Sequence, residues 1–328
     1  MYQYEDIKVI HLEITSKCQA SCPMCPRNIQ GGVDNPFMEL REITFDQFKI
    51  WFPVDFIQQL DRLYMCGNLG DPIIAKDTLE IFAYLRQTNP NIHLSMNTNG
   101  SARNSSWWQQ LAEHRVQVRF GIDGLEDTHS LYRINTDFNK IITNAQAFIQ
   151  AGGHAVWDML VFDHNKHQIG ACQHMADQLG FKEFFSKNTS RFKDNKLDVL
   201  DKAGKTRYVL FATERSKEMA KKSVDAVQSK QGVQITCKVQ NEGHMYVSAS
   251  GNVTPCCWLD MEFMPPHSFS RIDYMNTIGK FMNLQSYQLK EIFSSGFFKE
   301  ISDTWSCNPL KECSKQCGQF DKFGEQFK

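Results

Sequence analysis

"TSKCQASCPMCPRN", residues 15–28, places Cys18, Cys22 and Cys25 within eight residues and sets Pro23 and Pro26 among them. The stretch leading into it, "IKVIHLEIT" (7–15), reads as a strand. Two prolines block a regular helix, so an irregular loop must follow that strand. Thiolates in such a loop can converge on one inorganic centre. A structural zinc ion normally takes four ligands, and here there are three, with no histidine close after Cys25. A cubane of four irons held by three cysteines keeps one iron open for a further ligand. Ferredoxin clusters usually take four cysteines, so three point to catalysis more than to simple electron transfer.

The rest of the chain sets the frame for that loop. Its 328 residues suit roughly two domains, and 41 % hydrophobic residues are ample for a core. A formal net charge of −1 gives no global attraction to nucleic acid or to an anionic membrane. No apolar run approaches the roughly 20 residues of a membrane span. The beginning, "MYQYEDIKVIHLEIT", shows no secretory signal, so a cytoplasmic protein is expected. Eleven cysteines then need an explanation other than disulfides. Three lie in the opening loop, and Cys237, Cys256, Cys257, Cys307, Cys313 and Cys317 lie in the last third. Cys172 reads as a small buried hydrophobe.

Between the two groups, strand-like stretches alternate with helical ones. "RLYMCG", "NIHLSMNT", "VQVRFGID", "HAVWDMLVFD" and "KEFFS" continue the series that "IKVIHLEIT" opens. Capping-box pairs are expected at Thr44/Gln47, Asp77/Glu80, Ser106/Gln109 and Asn165/Gln168. Six such units by about residue 190 predict parallel strands joined by right-handed crossovers. Ligands in such folds sit at the carboxyl ends of the strands. The cysteine loop, "CGNLGDP", "NTNGS" and "GIDG" all fall at that end, which predicts one active site there.

The Cys-x3-Cys-x2-Cys loop after the first strand, with the strand–helix succession over residues 5 to 190, resembles the radical S-adenosylmethionine (SAM) superfamily. The resemblance implies an α/β fold with a partial (βα)6 TIM-like barrel. It implies that Cys18, Cys22 and Cys25 hold a [4Fe-4S] cluster whose open iron binds SAM. Reductive cleavage of SAM would then give a 5′-deoxyadenosyl radical that takes a hydrogen atom from the substrate. It also implies an electron donor such as flavodoxin or ferredoxin. Met24 stands where the family usually has an aromatic residue beside the adenine. Gly70, Asp71 and Pro72 look like the family's Gly-Glu-Pro, which holds the SAM amino group, with a shorter acid. Asn97, at the head of the "NTNG" stretch, and Asp123 in "IDG" are further candidates for cofactor contacts. Arg133 is a candidate for the SAM carboxylate, since arginine pairs bidentately with it. Cys66, ending the second strand, reads either as a hydrogen-atom donor to a substrate radical or as a small side chain packed beneath the cofactor.

The last third carries "MYVSASGNVTPCCW", which reads as a hairpin, and then Cys-x5-Cys-x3-Cys at Cys307, Cys313 and Cys317. This resembles the SPASM/Twitch extension of radical SAM enzymes, a small α+β domain with auxiliary iron–sulfur clusters. Thr304 stands where a full two-cluster pattern has another cysteine, and none follows Cys317. One auxiliary [4Fe-4S] cluster is therefore expected, and a second is not. Its ligands would be Cys237, Cys256 and two or three of Cys307, Cys313 and Cys317. Cys257 reads as a ligand or a buried neighbour, and a four-cysteine zinc site is the alternative.

The expected division is a barrel over 1–190, a linker and helix over 191–235, and the auxiliary domain over 236–328. The polar stretch "SKNTSRFKDNKLDVLDKAGKTR" reads as a linker or lid, and Glu218 with Lys222 supports the helix after it. The resemblance names no substrate. Oxidation or other modification of a peptide or protein side chain is one reading. Dehydrogenation or epimerisation of a small polar metabolite is the alternative, and an iron–sulfur electron carrier or redox sensor is a third.

Overall fold

A computed structural model describes residues 3–192, 194–228, 234–262, 282–307 and 309–318, the side chains of 222–228 and 261–262 excepted. Ten strands are formed among them: β1 (Val9–Leu12), β2 (Arg62–Met65), β3 (His93–Thr98), β4 (Val116–Gly121), β5 (His154–Val161), β6 (Glu183–Asn188), β7 (Lys196–Leu200), β8 (Thr206–Phe211), β9 (His244–Val247) and β10 (Val253–Thr254). The helices that return the chain between the barrel strands are α1 (Phe45–Trp51), α2 (Val54–Gln58), α3 (Thr78–Thr88), α4 (Ser105–Glu113), α5 (Glu126–Tyr132), α6 (Phe138–Gln150) and α7 (Ile169–Leu179). After them come α8 (Glu214–Gln228), α9 (Lys238–Asn241), α10 (Cys257–Glu262) and the helices Leu289–Ser294, Phe297–Asp303 and Lys311–Cys317.

The six strands expected from alternation run parallel, in the order β1 to β6. The sheet is not closed: β6 and β10 are its edges, as fits the partial barrel that the family resemblance implies. Its apolar face is set by every second residue. Ile10 and Leu12, Leu63 and Met65, Leu94 and Met96, Val118 and Phe120, and Trp157 and Met159 join one core with the helices. Burial of each such side chain contributes ~1.5–3 kcal/mol. The alternate residues, including His11, Tyr64, Asn97, Arg119, Asp158 and Lys187, face the other way, into the concave side.

The sheet does not stop at the expected domain boundary. β9 pairs in parallel with β1, Val9 opposite His244, and β10 closes the expected hairpin antiparallel to β9. The auxiliary segment thus extends the barrel sheet. The polar stretch after β6 is also more ordered than its composition suggests. β7 and β8 form an antiparallel pair whose Val199 and Leu210 pack with Ala20, Cys22, Tyr132, Phe162 and Phe192. Leu200 N–H donates to the Gln30 carbonyl at 2.9 Å. The hairpin therefore covers the cysteine loop. Its period-2 pattern is masked in sequence by the charged residues on its outer face.

Of the four capping boxes, the one at Thr44 forms with Gln47. The Asp77 carboxylate instead accepts from Phe45 N–H at the start of α1, 2.9 Å away. Helix α4 is capped by Asn104, two residues before Ser106. The Asn165 carboxamide accepts from Phe162 N–H and donates to the carbonyls of Leu160 and Asp123, bracing the end of β5. Local spacing found polar residues near helix starts; a distant helix start took Asp77, a neighbouring residue replaced Ser106, and the end of β5 took Asn165. Cys172 is fully buried in the core, as expected. The Lys222 side chain lies outside the described residues.

Candidate active site and auxiliary thiol site

The carboxyl ends of four strands meet at the cysteine loop. After β2, "CGNLGDP" lies flat against the start of that loop: a Cβ at Gly70 would overlap the Thr15 carbonyl, and one at Gly67 would overlap Gly70. Asp71 N–H donates to the Lys17 carbonyl at 2.9 Å. Pro72 is buried and its carbonyl accepts from the Thr78 hydroxyl at 2.5 Å. The Asp71 carboxylate, 5 % exposed, accepts from the Thr98 hydroxyl at 2.8 Å and from Asn99 through its backbone N–H at 2.7 Å and its Nδ2 at 2.6 Å. Held in this way, Asn99 also donates from Nδ2 to Cys18 Sγ, 3.6 Å away. Asp71 is thus a strut between β2 and β3 that aims an amide at the first thiol. Asn97, two residues earlier, points along the concave face and donates to Cys66 Sγ at 3.3 Å.

A second strut comes from β4. Asp123, fully buried, accepts from Arg133 Nε at 2.6 Å and from Leu160 N–H at 2.6 Å. Arg133 Nη1 lies 3.9 Å from Cys22 Sγ, and its guanidinium occupies the space a Cβ at Gly121 would take. His129 fixes the arginine's backbone. Its Nδ1 accepts from Asp123 N–H, so its proton is on Nε2 and donates to the Thr136 hydroxyl, which donates to the Arg133 carbonyl. Burial, with Arg133 adding to it, pulls the His129 pKa down to about 3, so the ring stays neutral. Asp123 therefore acts on the site through Arg133. Met24 and Cys25 pack on the cluster of Cys22, Tyr132 and Phe162.

Burial, with the Asp71 carboxylate adding to it, pushes the Cys18 thiol up to about 12. Burial raises Cys22 to about 11 against the pull of Arg133, and raises Cys25 in the same direction. Such thiols keep their protons unless a metal replaces them. Asn99, the Ala20 N–H at 3.4 Å from Cys18, and Arg133 supply donors for sulfurs that carry negative charge. The donor set fits an iron–sulfur cluster.

Sequence reasoning missed a carboxylate beside this site. Glu13, one residue past β1 and 1 % exposed, accepts from Leu69 N–H at 2.6 Å, from Gly70 N–H at 3.0 Å and from the Tyr246 hydroxyl. Burial raises its pKa to about 7, and raises that of Asp260, near the same hydroxyl, to about 7. The available signal was His11 and Glu13 at alternate positions in an otherwise apolar strand, both on one face. Cys66 sits on that face too, its thiol raised to about 11 by burial and then by the charge of Glu13.

In the last third, Cys237 and Cys317 are in hydrogen-bond contact, and the groups acting on Cys256 include Cys313 and Cys317. Thr236 N–H donates to the Cys317 carbonyl at 2.9 Å, tying the two segments together. Cys237, Cys256, Cys313 and Cys317 thus form one group. Cys307 stands apart: it is exposed, and its thiol lies near the carbonyls of Asp303 and Thr304 in the turn just before it. Burial, then the charges of Cys256 and Cys66, push the Cys257 thiol up. Among the described residues neither thiol group converges on one point as a single-ion site would.

A family model described as the radical SAM superfamily matches residues 12–171, and a second, SPASM, described as an iron-sulfur cluster-binding domain, matches residues 237–318. No curated protein matches the chain by sequence. Among solved structures, anSMEcpe with bound AdoMet and Cp18Cys peptide is 17 % identical, with 94 % of this chain and 85 % of that one covered at a TM-score of 0.57. Streptococcus suis SuiB bound to S-adenosylmethionine is 12 % identical, covering 94 % of this chain and 68 % of that one at a TM-score of 0.58. SuiB bound to its precursor peptide SuiA gives 12 %, 94 %, 67 % and 0.54. These likenesses show the fold. Among the described residues no helix is long and apolar enough to cross a membrane. The protein belongs to the radical SAM superfamily and carries a C-terminal SPASM iron–sulfur cluster-binding domain.

Proposed function

We propose that this chain reductively cleaves SAM and uses the resulting radical to oxidise or otherwise modify a peptide or protein side chain. The observation that carries the reading is the meeting of three thiols, Cys22 buried and Cys18 and Cys25 partly buried, with two separately built struts, Asp71–Asn99 and Asp123–Arg133. Cys18, Cys22 and Cys25 would hold the [4Fe-4S] cluster that binds SAM. Bound together there, cluster and SAM supply a 5′-deoxyadenosyl radical that abstracts hydrogen. The chain's own part is placement. Asn99 and Ala20 donate toward Cys18, and Arg133 toward Cys22, so donors stand ready for the charge of ligand sulfurs. Arg133 keeps donors beyond those used by Asp123 and Cys22, enough to receive the SAM carboxylate. Met24 packs beside the aromatic rings of Tyr132 and Phe162. Gly67 and Gly70 keep the β2 loop close under the site.

Cys237, Cys256, Cys313 and Cys317 would hold one auxiliary [4Fe-4S] cluster, and an external donor such as flavodoxin or ferredoxin would supply the electron. A peptide substrate is favoured by the open concave face of the sheet and by the peptides bound in anSMEcpe and SuiB, which share the fold. The test is 5′-deoxyadenosine release by reduced, iron-reconstituted protein given SAM. Wild type should release it, and the triple substitution Cys18→Ala, Cys22→Ala, Cys25→Ala should not, while remaining folded by circular dichroism. Release by the triple variant would end the reading.

A further inference from the structure

The concave face carries a charged group that the SAM site does not use. Arg119 on β4 donates from Nη1 to Asp158 Oδ1 at 3.1 Å, and Lys187 on β6 donates to Asp158 Oδ2 at 2.8 Å. Both cations lie over the ring of Phe185, 5.0 Å and 5.9 Å from its centre. Among the described residues these are the hydrogen bonds the two side chains make, so one carboxylate is shared between them. The group has net charge +1, and most of the eight N–H donors of an arginine and a lysine remain available.

Its position matters as much as its charge. Asp158 stands opposite Gly121 in the sheet, and the Arg133 guanidinium rests on Gly121. The group therefore lies directly below the Asp123–Arg133 strut. Across the open barrel, Lys187 acts on the Cys66 thiol. The side chains of Arg119, Asp158 and Lys187 are 23 %, 19 % and 32 % exposed, so they are reachable from the cavity yet well out of bulk water. Charge-assisted bonds formed in such a place are stronger than on an open surface. A substrate lying along this face beneath the strut would meet the group.

We infer that Arg119 and Lys187 bind a carboxylate of the peptide substrate, an Asp or Glu side chain or a free C-terminus next to the modified residue. The inference rests on the peptide-modifying reading above. It is tested by fluorescence anisotropy on SAM-loaded, reconstituted full-length protein at low ionic strength. The probes are three labelled pentapeptide pools: end-blocked with central Glu, end-blocked with central Gln, and central Gln with a free C-terminal carboxylate. One of the two anionic pools should bind about tenfold more tightly than the neutral pool, a preference that salt reduces. Whichever anionic pool is preferred identifies the source of the carboxylate. The double variant Arg119→Gln, Lys187→Gln should lose the preference. Asp158→Asn, which frees both cations, should widen it, and tests the inference even if the double variant fails to fold. Equal binding of all three pools by wild type, a preference that survives the double variant, or a narrower preference in Asp158→Asn each overturns the inference. So does a double variant that loses SAM binding but keeps the peptide preference, because the pair would then serve SAM. These are equilibrium measurements without turnover, so they are separable from 5′-deoxyadenosine release, whose absence in wild type would instead end the radical reading.

Discussion

Cys18, Cys22 and Cys25 sit within eight residues of one loop, whereas Cys237, Cys256, Cys313 and Cys317 come from separate segments spread over residues 237–317. The first group is three thiols surrounded by outside help: an amide aimed by Asp71, a guanidinium aimed by Asp123, and a hairpin laid over the top. In the second group, the side chains acting on Cys237 and Cys256 are the group's other thiols. A site that must keep a position open and receive a charged ligand needs fixed neighbours. A closed site needs its ligands to be near one another. The difference separates a group of thiols braced by other side chains from one whose thiols act mainly on one another.

The sharpest way to break this comparison is to empty each site in turn. Wild-type protein should hold about eight irons, from two four-iron clusters. Replacing Cys18, Cys22 and Cys25 with Ala should remove about four, and replacing Cys237, Cys256, Cys313 and Cys317 with Ala should remove about four. Iron analysis after anaerobic reconstitution reads both. If either change empties the whole protein, the two sites are not independent.

A smaller effect concerns the strut. Arg133→Gln leaves the fully buried Asp123 without its cation and should cost about 3–5 kcal/mol in denaturant unfolding. Lys311→Gln, an exposed change on the helix that carries Cys313 and Cys317, should stay within about 0.5 kcal/mol. Similar losses from the two would erase the contrast between a braced site and a self-contained one.

The pH dependence is smaller again. Glu13 and Asp260 have folded pKa values raised to about 7 by burial, above their ordinary carboxylate values. A raised carboxyl stabilises the fold below its unfolded pKa, and that contribution is lost as pH climbs through the folded value. Between pH 4.5 and 7 the folded protein holds protons that the unfolded chain has released, so stability should fall across that window. Glu13→Gln, which keeps an acceptor for the Leu69 and Gly70 amides, should flatten the fall by on the order of 2–3 kcal/mol in anaerobic unfolding at stepped pH. A slope unchanged from wild type would mean that Glu13 is ionised in the fold. The smallest expected effect is none: Cys307→Ser should leave iron content at the wild-type level, while Cys317→Ser should lower it. Loss of iron in Cys307→Ser would add a fifth thiol to the auxiliary site.

The barrel strands were readable because each is a short apolar run followed by turn residues, and the reactive loop was readable because its ligands are neighbours in sequence. The auxiliary set was only half readable. Six cysteines announce a metal site, but which four meet depends on how the helix Lys311–Cys317 returns to Ile235 through the Ile235–Gly318 bridge. No spacing rule contains that. The roles of Asp71 and Asp123 were hidden for a related reason. Sequence marks a carboxylate near a site but not whether its oxygens are already engaged, and both are bonded to neighbouring protein groups. The β7–β8 hairpin was hidden because one face meets water and the other a loop more than 160 residues earlier.

The pairing of β9 with β1 has a consequence for the order of events in the cell. β1 leads directly into the reactive cysteines, yet one of its two hydrogen-bonding edges is filled by residues 244–247. While the chain emerges from the ribosome, that edge stays bare until nearly three quarters of the sequence has been made. An unpaired strand edge is a template for wrong partners, and contacts this distant in sequence form late. The strand that sets the cysteine loop is therefore among the last to be locked on both edges, so the geometry of that loop depends on residues made more than 200 positions later.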